Sequence, residues 1–234
     1  MNSLIKSFIK DNTIVTLGVF LLSFKGVLLI PLIIKTVGVE TYGGFTLLSS
    51  ILGIIFGIST FGAGFKAKRF LPSTIDIVKR KEFFCHQFIF HIASIILLSF
   101  LFVLINNNFV LLFFKDTNNY SAYIVPIYLI AYVIYSQGTL YFRYTSRLHY
   151  MTIMGILFAY IHLVLIALYF YYFNYININI LVLSQAITAC IIAVPCFWLI
   201  NKEIGISFIF YKIKDLVSDI KLGFPLVPNF IIDF

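Results

Sequence analysis

The feature that most constrains the fold is a run of residues, 42–65, that carries no charged side chain. A helix rises about 1.5 Å per residue, so a run of this length crosses the roughly 30 Å hydrocarbon core of a bilayer. A short polar turn, 39–41, precedes the run, and three cations, Lys66, Lys68 and Arg69, follow it closely. Because a basic exit is typical of the cytoplasmic end of a span, the run predicts a transmembrane helix that ends in the cytoplasm.

Five further apolar runs of similar length lie along the chain. Together the six runs predict transmembrane helices at 13–34, 43–65, 83–105, 120–141, 151–173 and 179–200. The chain is 61% hydrophobic and only 11% charged, whereas roughly 25% of residues are charged in an ordinary globular domain. The predicted fold class is therefore an all-α polytopic membrane protein, and a soluble domain is excluded.

The placement of lysine and arginine supports all six predicted helices together. With the N-terminus in the cytoplasm, 14 of the 17 cations fall on the cytoplasmic side, only Lys35 and Lys115 fall outside, and Lys25 lies within a span. One missed helix would invert every later loop, so the asymmetry predicts this topology through the positive-inside rule. The same placement accounts for the net charge of +8, and we expect no nucleic-acid partner.

The last residues of the chain indicate the start of a seventh helix. Residues 222–234 are mostly apolar, but thirteen residues are too few to cross a bilayer. We therefore expect residues 1–221 to form a six-helix membrane lobe and residues 222–234 to begin a further helix, in a chain that looks truncated.

Lys25 has the most informative position of any single residue, because it lies near the middle of the first span. An ammonium group facing lipid at that depth costs several kcal/mol, and the interface lies further away than a lysine stem comfortably reaches. Lys25 would then either face a wet cavity, where it would attract an anionic head group, or pair with a carboxylate inside the bundle. In a third interpretation the boundary of the span is misplaced and Lys25 lies nearer the interface. Asp233, the one carboxylate within an apolar segment, is a candidate partner and a candidate coupling residue.

Neutral polar side chains in the later spans suit either the lining of a sugar-sized cavity or hydrogen bonds between helices. They lie in the fourth and sixth spans: Gln137 and Thr139, and Ser184, Gln185 and Thr188.

Three basic side chains complete the set of candidate residues. Arg143 and Arg147, one helical turn apart at the cytoplasmic end of the fourth span, would either receive a phosphate as a charge-assisted pair or simply fix the orientation. His162, midway along the fifth span, titrates near neutrality, so it is either a proton-coupling residue or a hydrogen-bonding group between helices.

Motifs for covalent catalysis, nucleotide hydrolysis and metal binding are missing from the sequence. There is no G-x-S-x-G, P-loop, GxGxxG or glycosidase-type pair of acids. His86 and His91 are five residues apart, which turns them away from a shared helical face, so they predict no metal site. The three cysteines show no CxxC spacing and are predicted to be packing residues. We expect a protein that is not an enzyme and that holds no cofactor and no metal.

Three stretches of the sequence resemble the polysaccharide-biosynthesis flippases, the Wzx-type O-antigen and capsule transporters of the multidrug/oligosaccharidyl-lipid/polysaccharide exporter superfamily. GVETYGGFTLLSSI at 38–51 is similar to their turn into the second helix, and STFGAGFKAKRFLP at 59–72 is similar to the basic exit from that helix. IKLGFPLVPNFI at 220–231 is similar to the opening of their seventh helix. The order of helices and the loop lengths agree along the whole chain.

The resemblance implies one half of a two-lobed exporter bundle around a cation-lined cavity. It implies that alternating access carries undecaprenyl-pyrophosphate-linked oligosaccharide repeat units from the cytoplasmic to the periplasmic leaflet of the bacterial inner membrane. Lys25 would then hold the pyrophosphate, and the neutral polar groups would meet the sugars. The implied partners are the lipid-linked oligosaccharide, membrane lipids and other membrane proteins of polysaccharide assembly.

Three other functions remain open from the sequence. A drug or small-molecule exporter of the same superfamily would favour acidic groups in its cavity, where this chain has a lysine. A membrane-embedded polysaccharide polymerase or ligase would need a large periplasmic loop, and the predicted outside loops are short. The last alternative is a structural or regulatory membrane subunit that transports nothing.

Overall fold

The computed structural model describes residues 2–60, 69, 71–74, 76–113, 123–206 and 221. Across these residues the chain is helical apart from short connections, and six of its helices are long and apolar enough to cross a membrane. The predicted all-α polytopic membrane fold is therefore confirmed. The predicted start of a seventh helix, 222–234, lies outside the described residues, and so does Asp233.

The first two spans belong to one long helical segment, Asn2–Ser59, which breaks at Gly38. We call the arm before the break α1, with its spanning part Asn12–Thr36, and the arm after it α2, Gly38–Ser59. Gly38 has φ 85° and ψ 164°, a conformation that glycine adopts without the steric penalty of a side chain. The break therefore lies one residue before the polar turn predicted at 39–41, and residues 39–41 themselves are helical.

Four more helices follow: α3 (Ile77–Phe113), α4 (Ile124–Tyr144), α5 (Leu148–Phe173) and α6 (Ile178–Ile204). A single 3₁₀ turn, Leu71–Ser73, precedes α3. The ends of α6 are set by local chemistry. The Asn177 side chain accepts a hydrogen bond from the Ile180 amide at 2.9 Å, and Gly205 closes the helix with φ 59°.

Helices α4 and α6 form the centre of the bundle and share its most extensive helix–helix contact. They run in the same direction, since Gly138 of α4 meets Cys196 of α6 and, just past the end of α4, Arg147 meets Glu203 near the end of α6. A Cβ atom at Gly138 would lie 2.7 Å from the Cβ of Cys196, so the missing side chain is what allows this close approach.

Helix α1 packs on α5 at the edge of the bundle. Gly18 lies directly against Thr152, and the Tyr160 hydroxyl donates a hydrogen bond to the Leu21 carbonyl at 3.1 Å. Leu29 and Ile33 near the end of α1 are buried in the core, while its outer face presents large apolar side chains, among them Phe20 and Val27. Exposed apolar faces of this kind suit contact with lipid.

The described cations of α3 to α6 lie at one end of the bundle, where α3 and α5 begin and where α4 and α6 end. We call it the basic end; its residues are Lys79, Arg80, Lys81, Arg143, Arg147 and Lys202. Lys35 lies close to the far end of α1. The arrangement agrees with the pattern from which the topology was predicted, while the assignment of the basic end to the cytoplasm stays a prediction.

Candidate functional site

Lys25 lies near the middle of the first span and is half-buried. The contacts of Gly18 with Thr152 and of Tyr160 with the Leu21 carbonyl hold this part of α1 against α5. Among the described residues, no carboxylate forms an ion pair with the Lys25 ammonium. The structure thus keeps a cation at mid-depth in the bundle, on a helix of which one face is exposed.

The contacts of Gly18 with Thr152 and of Leu21 with Tyr160 align α1 with α5, so His162 of α5 lies at a depth similar to that of Lys25. The His162 side chain is completely buried. The Leu181 backbone of α6 adjoins the ring, yet neither ring nitrogen has a hydrogen-bond partner of acceptable geometry within the described residues. Leaving a buried polar group unpaired costs roughly 1–3 kcal/mol. A polar group that formed a hydrogen bond with His162 would therefore be stabilising, and the described residues of the neighbouring helices do not provide one.

Lys25 and His162 therefore form the candidate site, which lies between α1, α5 and α6. The two side chains were predicted separately as a cavity cation and a coupling residue, and the fold places them at similar depth on adjoining helices. Both are bases, and no acid has been found beside them in the part of the chain that the structure describes. Such a pair is suited to an anion, because the Lys25 ammonium attracts a negative charge and an anion also favours the charged form of a histidine.

The two arginines predicted to act as a pair are separated by the structure. Arg143 is exposed on the last turn of α4, whereas Arg147 binds Glu203 of α6 through two contacts, Nη2 to Oε1 at 2.9 Å and Nη1 to Oε2 at 2.8 Å. The spacing argument fails because α4 ends at Tyr144, so Arg147 is the N-cap of α5 and not a residue one turn further along α4. Arg80 approaches the same carboxylate at 3.6 Å. We call Arg80, Arg147 and Glu203 the ionic cluster of the basic end.

Gln137 is also placed differently from a cavity-lining residue. Its side chain is 1% exposed, and its amide nitrogen lies 2.5 Å from Nδ1 of His91 in α3. Nε2 of His91 lies 2.7 Å from Oγ of Ser59 in α2. The hydroxyl of Ser94 in turn donates to the Ser59 carbonyl at 2.5 Å. We call these four side chains the polar network; it connects α2, α3 and α4.

The hydrogen-bond directions within the polar network are mutually consistent. The Ser59 hydroxyl donates to the Phe56 carbonyl at 2.6 Å, so its oxygen accepts from Nε2–H of His91. Nδ1 of His91 then accepts from the Gln137 amide. A neutral imidazole with one donor and one acceptor nitrogen satisfies every member. The network therefore has the character of a buried connection between helices, which was the second interpretation of Gln137.

The remaining neutral candidates are largely satisfied within their own helices. Thr188 is completely buried and donates to the Ser184 carbonyl at 2.7 Å, and Ser184 donates to the Leu181 carbonyl at 2.8 Å. Thr139 donates to the Ser136 carbonyl at 3.0 Å. Gln185 is half-buried on α6. A role for Thr188 or Gln185 in binding sugar stays a prediction.

The polar network and the ionic cluster are the features that the sequence did not reveal. His91 was considered only as a metal ligand, and Arg80 and Glu203 were not singled out. The available signal was the presence of His91 and Gln137 in apolar spans, but their partners lie on other helices at separations that no local spacing encodes.

In comparisons with protein-family models, with curated proteins and with solved structures, nothing matched this chain. Its function is therefore inferred from the side chains described above.

Proposed function

We propose that the protein moves undecaprenyl-pyrophosphate-linked oligosaccharide repeat units across the bacterial inner membrane by alternating access. The observation that carries the proposal is Lys25, a half-buried cation at mid-span without a carboxylate partner in the described residues. A polar group at this depth is costly and marks the path of a polar or charged substrate. The similarity of residues 38–51 and 59–72 to the flippases supports the same class of substrate.

In this proposal Lys25 attracts the pyrophosphate at the middle of the membrane. The pyrophosphate neutralises the ammonium, and an anion in a site that also holds a histidine favours the charged form of that histidine. Binding of the anion and binding of a proton then favour each other, and by linkage the effect is reciprocal. His162 is accordingly the proposed coupling residue, and Asp233 stays a predicted one.

The basic end would serve the same substrate before it enters the bundle. Arg143 is exposed there and can meet a phosphate from the membrane surface. Arg147 has a different role, because Glu203 already neutralises it, and it holds the α4–α5 connection against α6.

Replacing Lys25 by alanine in the complete protein tests the proposal. A charge-assisted contact is worth about 1.5–3 kcal/mol, so we expect transport of a fluorescent lipid-linked oligosaccharide in proteoliposomes to fall by about tenfold or more. In cells that depend on this protein, surface polysaccharide should fall, while the amount of protein in the membrane stays unchanged. Lys35→Ala, which removes an exposed cation from the same helix, is the matched control and should transport normally.

Two results would contradict the proposal. Unchanged polysaccharide in Lys25→Ala cells with normal protein levels would remove Lys25 from the mechanism. Transport of small cationic drugs by the wild-type protein, faster in Lys25→Ala and without transport of the lipid-linked sugar, would identify the drug exporter instead.

A further inference from the structure

One face of α6 carries a stripe of exposed apolar side chains that ends in an aromatic ring and a cation. Its apolar members are between 39% and 70% exposed: Leu183, Ile187, Ile191, Val194 and Trp198. Lys202 follows one turn after Trp198 and is also exposed. With 3.6 residues per turn, all six positions fall within an arc of about 100° on the helix. We call these six residues the α6 stripe.

The basic end of the α6 stripe has the chemistry of a membrane interface. The Lys202 ammonium lies 5.7 Å from the centroid of the Trp198 ring, within the range of a cation–π contact. Tryptophan and lysine are the residues that anchor helices at the level of lipid head groups. The indole therefore covers one side of the ammonium, while Lys202 remains exposed to a further partner.

The charge of Lys202 is not cancelled by the carboxylate next to it in sequence. Glu203 is engaged by Arg147 and Arg80 in the ionic cluster. Within the ranges that the structure describes, no carboxylate forms an ion pair with Lys202. An uncompensated cation at the end of an apolar stripe is complementary to a ligand with an anionic head and an apolar tail.

The part of the stripe between Ile187 and Trp198 matches the length of one lipid chain. The helix rises about 16 Å between residues 187 and 198, which is about half the thickness of the hydrocarbon core and so the depth of one leaflet. Phosphate and ammonium would then meet at the surface while the acyl chain follows the apolar side chains inward.

We propose that the α6 stripe is a binding site for an anionic phospholipid of the leaflet at the basic end. Its phosphate binds the Lys202 ammonium, its glycerol region lies against the Trp198 ring, and one acyl chain follows Val194, Ile191 and Ile187. The site is separate from the Lys25–His162 site and does not depend on the transported substrate. It predicts a retained lipid that anchors α6.

Trp198 is the only tryptophan in the protein, so its fluorescence reports the occupant directly. The protein is placed in nanodiscs of fixed phosphatidylglycerol and phosphatidylcholine content, and the same mole fraction of either the anionic or the zwitterionic lipid carries brominated acyl chains. Attraction of an acidic lipid to one interfacial lysine gives about fivefold enrichment. We expect brominated phosphatidylglycerol to quench Trp198 correspondingly more strongly than brominated phosphatidylcholine.

The lysine provides the decisive variant. Lys202→Gln should abolish the preference for the anionic lipid, whereas Lys79→Gln, which removes another exposed cation from the basic end, should keep it. Equal quenching by the two lipids, or a preference that survives in Lys202→Gln, would overturn the proposal. Absence of quenching by either lipid would also overturn it, since a protein surface such as a second copy of the chain would then cover the stripe.

Discussion

His91 connects three helices through its two ring nitrogens, and its loss is expected to leave the buried Gln137 amide without its acceptor. His91→Phe keeps the ring contact with Phe56 but also removes the donor to the Ser59 hydroxyl oxygen, which still donates to the Phe56 carbonyl. An orphaned buried donor or acceptor costs about 1–3 kcal/mol, so the variant should unfold at a clearly lower temperature in detergent. His149→Phe, at a half-buried histidine outside the polar network, is the matched control and should behave like the wild type.

A double-mutant cycle separates the polar network from simple loss of packing. Gln137→Leu alone should also destabilise the protein, because it leaves Nδ1 of His91 without its donor. If the two residues act as a unit, the combined variant loses less stability than the sum of the single losses. Strict additivity, or single variants as stable as the wild type, would show that the contact contributes nothing.

For single residues, the sequence indicates which side chains need an explanation but not which side chains lie beside them. Lys25 and His162 stand out because an ionisable side chain within an apolar run always requires an explanation. Their proximity could not be predicted, since it depends on how α1 docks on α5. For Arg143 and Arg147 the sequence suggested a partnership that the structure does not show. Residues four apart share a face only within one helix, and α4 ends at Tyr144, between the two arginines.

At the scale of the helices, α4 and α6 approach each other closely at Gly138. A methyl group there would meet the Cβ and Sγ of Cys196 at 2.7 and 3.4 Å, and both atoms belong to a buried side chain on a packed helix. We expect Gly138→Ala to cost about 1–3 kcal/mol of stability, as over-packing usually does. The measurement is the unfolding temperature of the purified protein.

Gly43→Ala is the control for this prediction. Gly43 lies in α2 with open space around the position of a Cβ atom, so the substitution should leave stability unchanged or raise it by up to about 1 kcal/mol through helix propensity. If Gly138→Ala were as stable as Gly43→Ala, the α4–α6 contact would be looser than the structure indicates.

The helices themselves were largely predictable, because length and apolar composition are sufficient to identify a span. The detail that escaped prediction is the junction of α1 and α2. Polar residues at 39–41 suggested a turn, yet they can extend a helix, and only Gly38 accepts the backbone angles of the break. Helix contacts were not predictable either, since every face of a span is apolar and hydrophobicity alone does not distinguish the side that meets protein from the side that meets lipid.

In the whole molecule, the tightly packed centre and the Lys25–His162 site lie in different places. The centre, α4 with α6, is tightly packed and tied to α3 by the ionic cluster at the basic end. The Lys25–His162 site lies instead towards the edge, where α1 docks on α5 with much of its surface exposed. The part of α1 before Lys25 is largely exposed, whereas Leu29 and Ile33 after it belong to the core. The alternate opening that we propose would therefore involve the exposed part of α1 first, since that part can move with less change in core packing.

The orientation of this arrangement in the membrane is the prediction on which the direction of transport depends. Single cysteines are introduced by Lys35→Cys, at the far end of α1, and by Lys79→Cys, at the basic end, and intact spheroplasts are treated with a membrane-impermeant maleimide. The native cysteines all lie within spans, where we expect little reaction with the maleimide. Labelling of the unaltered protein measures this background. With the basic end in the cytoplasm, we expect the Lys35→Cys protein to be labelled at once and the Lys79→Cys protein only after permeabilisation. The reverse pattern would place the exposed Arg143 in the outer leaflet, where it could not receive a substrate made inside the cell.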